Sequence, residues 1–111
     1  MRVLLATNHV KLDDYLKNQA EFDVVGEVPF KHPLVEKAAE TRPDVVVLSA
    51  FLPPEEEDIR ELIYETQRVS NCRIVFLPGE NTSKTTINLI MDAFSLGVRD
   101  FVFDPIDTRI L

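Results

Sequence analysis

The chain has 111 residues, of which 45% are hydrophobic and 28% charged, and a formal net charge of −7. That length suits one domain with one core, burying about 65% of its unfolded surface, and the balance excludes a disordered or fibrous polypeptide. An acidic surface with no Lys/Arg stripe interleaved with aromatics speaks against direct nucleic-acid binding, and no run approaches the roughly 20 apolar residues of a membrane span.

Met1 leads straight into a strand-like run, without the charged start and cleavage site of a signal peptide, so a cytoplasmic protein without membrane insertion is expected. Cys72 is the single cysteine, which rules out an internal disulfide; its expected role is that of a small core hydrophobe.

Apolar runs of strand length alternate with longer segments at helical spacing, the pattern of βα units around a parallel sheet. The first strand covers residues 2–6. The first helix, 10–20, sets Leu12, Tyr15, Leu16 and Ala20 on one face, with Asn8 as candidate N-cap. A second strand at 22–28 precedes a helix that opens with Pro33, carries Leu34, Val35, Ala38 and Ala39, and stops before Pro43.

The third strand, 44–48, leads through Pro53-Pro54 to a helix burying Ile59, Leu62, Ile63 and Thr66. Glu55, Glu56, Glu57 and Asp58 would form the first turn of that helix, where the macrodipole favours carboxylates, and so are expected to face water without holding a metal. The fourth strand spans 73–77. A fourth helix, 83–96, should bury some of Ile87, Ile90, Met91 and Phe94 and end at Gly97. The last strand, 101–103, is followed by Asp107-Thr108-Arg109-Ile110-Leu111, which read as the first turn of a fifth helix and imply a domain with further chain behind it. The fold class expected is a three-layer αβα sandwich on a doubly wound five-stranded parallel sheet, flavodoxin-like, its central strands covered on both faces.

Gly79-Glu80-Asn81-Thr82-Ser83-Lys84-Thr85 superficially matches a phosphate-binding P-loop. It lacks the second glycine and is one residue short, so it reads as a loop with Thr82 or Ser83 capping the fourth helix.

Three segments carry a resemblance. Residues 42–53, Arg-Pro-Asp-Val-Val-Val-Leu-Ser-Ala-Phe-Leu-Pro, are similar to the third strand and following loop of bacterial response-regulator receiver domains, whose phosphate-accepting Asp falls on Ser49. Residues 97–105, Gly-Val-Arg-Asp-Phe-Val-Phe-Asp-Pro, resemble the family's Gly-Ala-x-Asp-Tyr-x-x-Lys-Pro, which places Phe101 at the aromatic switch position and Pro105 at the proline that follows a cis bond. Residues 73–77 resemble the fourth receiver strand. The resemblance implies a CheY-like fold over nearly the whole chain, with the fifth helix truncated. In receivers the surface of the fourth helix, fifth strand and fifth helix carries dimer and partner contacts, and here it would include Asn88, Met91, Asp92, Ser95 and Arg99.

Receiver chemistry needs an acidic pair for Mg²⁺, an Asp to attack phosphorus, a hydroxyl for the product and a Lys to neutralise it. These positions fall on Thr7 and Asn8, on Ser49, on Pro78 and on Asp104, and none keeps its role. Asp104 would repel phosphate where the Lys attracts it. Asp13 and Asp14 sit in the first helix and are expected to lie too deep in it to replace the acidic pair.

A Ser49/His9/Asp104 nucleophilic constellation can be drawn, but no nucleophile-elbow glycines flank Ser49. A hydrogen-bonded plug of Thr7, Asn8, Ser49 and Asp104 is the simpler expectation. The function that follows is a pseudo-receiver: a non-enzymatic, phosphorylation-independent module for protein–protein interaction, dimerisation or localisation, using no cofactor. It is similar to the N-terminal domains of TadZ/CpaE-like ATPases of the MinD/ParA type. The alternatives are a two-component receiver with unusual phosphoacceptor chemistry and a small-ligand binder at the carboxyl ends of the strands.

Overall fold

The computed structural model describes residues 1–55, 57–80 and 84–106. Five strands, β1 (Arg2–Ala6), β2 (Asp23–Glu27), β3 (Val45–Ser49), β4 (Arg73–Glu80) and β5 (Asp100–Asp104), form one parallel sheet in the order β2-β1-β3-β4-β5. Between them run α1 (Val10–Lys17), α2 (Leu34–Thr41), α3 (Ile59–Ser70) and α4 (Lys84–Ser95). This is the flavodoxin-like, doubly wound α/β fold that the alternating pattern predicts.

Strand alternation splits the core in two. Leu4, Ala6, Val46, Leu48, Ile74 and Phe76 point to one face, where Leu34 and Ala38 of α2, Ile59, Leu62 and Ile63 of α3 and Ala93 of α4 close over them. Val3, Leu5, Val47 and Leu77 point to the other, against Leu12 of α1. On that second face a groove of about 350 Å³ remains over Val45, Val47, Val75, Leu77 and Val102. Residues 107–111, expected to begin a fifth helix, lie outside the described residues. No helix among the described residues is long and apolar enough to cross a membrane.

The helix boundaries correct several expectations. The N-cap of α1 is His9, whose Nδ1 accepts from Leu12 N at 3.1 Å, whereas Asn8 adopts φ +56 and donates through Nδ2 to Pro29 O. α1 stops at Lys17, three residues early, and Ala20 is exposed. α3 starts at Ile59 with Asp58 as N-cap, accepting from Arg60 N at 2.9 Å. Glu55 and Glu57 therefore precede the helix and do not form its first turn; Glu56, and the expected caps Thr82 and Ser83 of α4, fall outside the described residues. An N-cap needs extended backbone, and Asp58, at ψ 118, supplies it. Asn71 ends α3 in the left-handed region at φ +47, and Arg42 does the same for α2 just ahead of Pro43.

Two differences reach the site. β4 runs three residues beyond Leu77, pairing Gly79 with Phe103 and Glu80 with Asp104 after a register shift. Pro78 does not break it, because a proline lacks only its donor and the shift absorbs that loss. On α4 the expected apolar face is largely outside: Ile87, Met91 and Phe94 are 47%, 66% and 53% exposed, while Thr86 and Ala93 are buried. The inward side of α4 is Thr86 and Ala93, with Leu89 packed partly against the same core, while Ile87, Met91 and Phe94 are turned outward.

Candidate functional site

The carboxyl ends of β1, β3, β4 and β5 bring Thr7, Asn8, Ser49, Pro78 and Asp104 to one end of the sheet, as parallel strands with these lengths require. The four short polar side chains do not hydrogen-bond to one another. Thr7 Oγ1 donates to Asp13 Oδ1 at 2.6 Å and accepts from His9 N at 3.0 Å. Ser49 is buried, and its Oγ accepts from Phe51 N at 3.1 Å. Asp104 is exposed, and among the described residues no hydrogen bond or ion pair holds it. Thr7 and Ser49 bond close to their own strand ends, Asn8 reaches across to Pro29 O in the loop after β2, and Asp104 faces water, so the expected plug does not form.

Asp13 is the functional-end residue that sequence reasoning set aside. It lies in the first turn of α1, not deeper, and points back to Thr7 while Asp14 faces water. Burial pushes the Asp13 carboxyl above its ordinary value; the Thr7 hydroxyl opposes that shift and repulsion from Glu27 adds to it. The signal was in the spacing, since a Thr before an N-cap and an acid four residues into the helix face each other.

His9, with Nδ1 accepting from Leu12 N, is engaged as a helix cap and not as a base for Ser49. Phe101, at the position the resemblance gives to the aromatic switch, packs edge-to-face on Phe76 with centroids 6.3 Å apart. The Asp104–Pro105 peptide is cis, as that resemblance implies, and so is Pro53–Pro54.

A second cluster was missed altogether. Phe51, just past Ser49, is 61% exposed, and its ring lies against Gly79 of β4. A Cβ built on Gly79 would stand 3.0 and 3.1 Å from the Cε2 and Cζ carbons of that ring, and 3.3 Å from Thr86 Oγ1. Thr86 Oγ1 in turn donates to Pro78 O at 3.3 Å. Behind the same loop, buried Lys31 donates through Nζ to Pro54 O at 3.0 Å and to Glu57 O at 3.2 Å, and through its backbone to Pro53 O.

Of the candidate contact residues, Asn88, Met91 and Ser95 share the exposed side of α4 and Arg99 is exposed just beyond it. Asp92 is turned to the α3 flank, where Asp58 and, more weakly, Asp92 stabilise the Arg60 guanidinium. At 3.6 residues per turn, Ile87, Met91 and Phe94 lie about 100–160° round from Asp92, on the flank away from α3 and toward β5. The Arg99 guanidinium stacks 4.1 Å over the Phe94 ring and donates to Phe94 O. Cys72 is half-buried and packs against the core, and burial raises its thiol pKa, opposed by the Ser70 hydroxyl.

With this geometry in hand, the comparisons place the fold among receiver domains. The receiver domain of a modulated diguanylate cyclase from Desulfovibrio desulfuricans matches with a TM-score of 0.77 at 19% identity, covering 97% of this chain and 84% of that one. The response-regulator domain of Thermotoga maritima CheB gives 0.77 at 22% identity, with 97% and 81% coverage. The receiver domain of the putative response regulator NarL from Mycobacterium tuberculosis gives 0.78 at 17% identity, with 97% and 86%. At these identities the likeness establishes the CheY-like fold alone. No family model matches the chain, and no curated protein matches it.

Proposed function

We propose that the chain is a pseudo-receiver: a cytoplasmic, non-enzymatic module that works through protein–protein contact and does not depend on phosphorylation. The observation that carries this reading is Ser49. It stands at the carboxyl end of β3 with its oxygen accepting from Phe51 N, no carboxylate at Thr7 or Asn8, and Asp104 across the sheet end where a cation would be required. A serine hydroxyl in that setting lacks a base, a metal-binding acid pair and a charge to offset phosphate.

The contact surface proposed is the α4–β5 flank, where Ile87, Met91, Phe94 and Arg99 join Asn88 and Ser95. An apolar row at i, i+4 and i+7 facing water fits a docking face. Dimerisation or localisation of an attached output domain, of which a TadZ/CpaE-like ATPase is the architecture proposed, would run through it.

The test is a backbone-amide NMR titration with Mg²⁺ and beryllofluoride, a mimic of phosphoryl aspartate. The expected result is no saturable shift around Ser49. Saturable shifts there would instead support a receiver with unusual phosphoacceptor chemistry and overturn the proposal.

A further inference from the structure

The segment that follows Ser49 is held from three sides. Ala50 N donates to Leu77 O at 3.1 Å, so the β3–β4 ladder continues past the end of β3. Leu52 is buried to 1% exposure and anchors the next turn in the core. Lys31 staples Pro53, Pro54 and Glu57 from behind. Between those anchors Phe51 cannot retreat inward, and its ring projects over β4.

What it meets there is suited to it in two separate ways. Gly79 has φ +111, a conformation that residues carrying a Cβ seldom adopt. The ring also sits so close that a Cβ there would be crowded, 3.0–3.1 Å from its edge carbons. Beyond Gly79 the contact is handed on: Gly79 pairs with Phe103 of β5, and Thr86 of α4 ties to Pro78 O. One chain of contacts thus runs from the β3 loop through Phe51 and Gly79 to the first turn of α4 and the end of β5. Its far end is the helix that exposes Ile87, Met91 and Phe94.

We infer that Phe51 is a built-in latch: its ring, seated on Gly79, couples the loop after Ser49 to β4 and α4 and holds the α4 face in one arrangement. The inference rests on the pseudo-receiver reading and adds the means by which such a module keeps a fixed state without a phosphoryl group. An exposed phenylalanine over a left-handed glycine has no core to fill, so its effect is local coupling more than bulk burial.

The test is native-state amide hydrogen exchange on the chain as it stands, comparing wild type with Phe51→Ala and Phe51→Tyr. Phe51→Ala should speed exchange at Gly79, Glu80 and the second turn of α4 by about tenfold, one factor of ten in the local opening constant. Central-strand amides such as Leu4 and Val46 should be unchanged, and Phe51→Tyr, which keeps the ring, should behave as wild type. Unchanged exchange at Gly79 and Glu80 in Phe51→Ala overturns the latch, and so does an equal acceleration throughout the sheet. A beryllofluoride response in wild type would refute the functional reading while leaving the latch standing; a failed latch without that response would leave the functional reading intact.

Discussion

Thr7 Oγ1 donates to Asp13 Oδ1 at 2.6 Å and accepts from His9 N at 3.0 Å, so one buried hydroxyl ties the end of β1 to the first turn of α1. Both of its capacities are used. Thr7→Val keeps the shape and removes both bonds, leaving a buried carboxylate and a backbone N–H without this partner. A loss of about 1–3 kcal/mol is expected in urea unfolding. A loss below about 0.5 kcal/mol, the range of featureless surface substitutions, would show that water replaces Thr7 at no cost.

Asp13 itself sets a pH dependence. Burial, the largest influence, raises its carboxyl above the ordinary 3.8, with the Thr7 hydroxyl opposing and Glu27 adding to the rise. The folded state therefore holds the proton more tightly than the unfolded chain. The resulting stability is fully present below the unfolded value and is lost as pH rises through the folded one. Asp13→Asn keeps an oxygen for Thr7 and removes the ionisation. It should be more stable than wild type at neutral pH, with the difference vanishing below pH 3.8. The check is urea unfolding of both proteins at the two pH values; a difference that grows on acidification would reverse the sign argued here.

The layered fold was legible because the third and fourth strands carry unbroken apolar runs at 45–48 and 74–77 and because Pro43 and Gly97 mark helix ends. The apolar side of α4 was misread. Ile87, Met91 and Phe94 fit a core stripe by spacing alone, and periodicity cannot say which flank of a helix meets the sheet when Thr86 and Ala93 fit just as well. At the sheet end, residue types were legible and partners were not. Thr7 and Ser49 bond close to their own strand ends and Asn8 crosses to Pro29 O, choices made by backbone geometry such as the positive φ of Asn8. Phe51 on Gly79 left no signal, since a lone aromatic in a loop and a glycine 28 positions later predict nothing about each other.

Lys31 is an ammonium at 3% exposure held by carbonyl oxygens of Pro54 and Glu57. Two opposing effects meet in Lys31→Met: relief from burying a charge, and two acceptors stripped of a donor. With both carbonyls in a loop whose turns depend on them, the second should win, at about 1–3 kcal/mol. Denaturant unfolding measures it. Stability equal to or above wild type would mean that desolvation of the ammonium outweighs its hydrogen bonds.

The α4 flank should tolerate what a core helix would not. Met91→Glu replaces an exposed side chain and should change stability by no more than about 0.5 kcal/mol, Phe94→Ser, which also loses the Arg99 stack, by about 1 kcal/mol, while Ala93→Asp, at 1% exposure in the same helix, should cost more than either. Thermal unfolding of the three variants separates the readings. A large loss in Met91→Glu would return Met91 to the core and remove it from the proposed contact surface.

Ser49→Asp puts a carboxylate where the resemblance expects the phosphoacceptor. The site is only 8% exposed and its oxygen already serves Phe51 N, while Asp104 stands two strands away at the exposed end of β5. Burial opposes ionisation there, and a negative charge at the end of β5 does nothing to offset it. The variant should lose about 1–3 kcal/mol at neutral pH, the cost of a poorly compensated buried polar group. It should take up no phosphoryl group from a small donor with Mg²⁺, since Thr7 and Asn8 offer no anionic oxygen to hold the ion. Adding Asp104→Lys should recover part of the stability by supplying the opposite charge, still without labelling. Labelling of the single variant, read by intact mass after exposure to acetyl phosphate, would mean that one substitution alone silences a working site and that the mouth retains metal binding these residues do not account for.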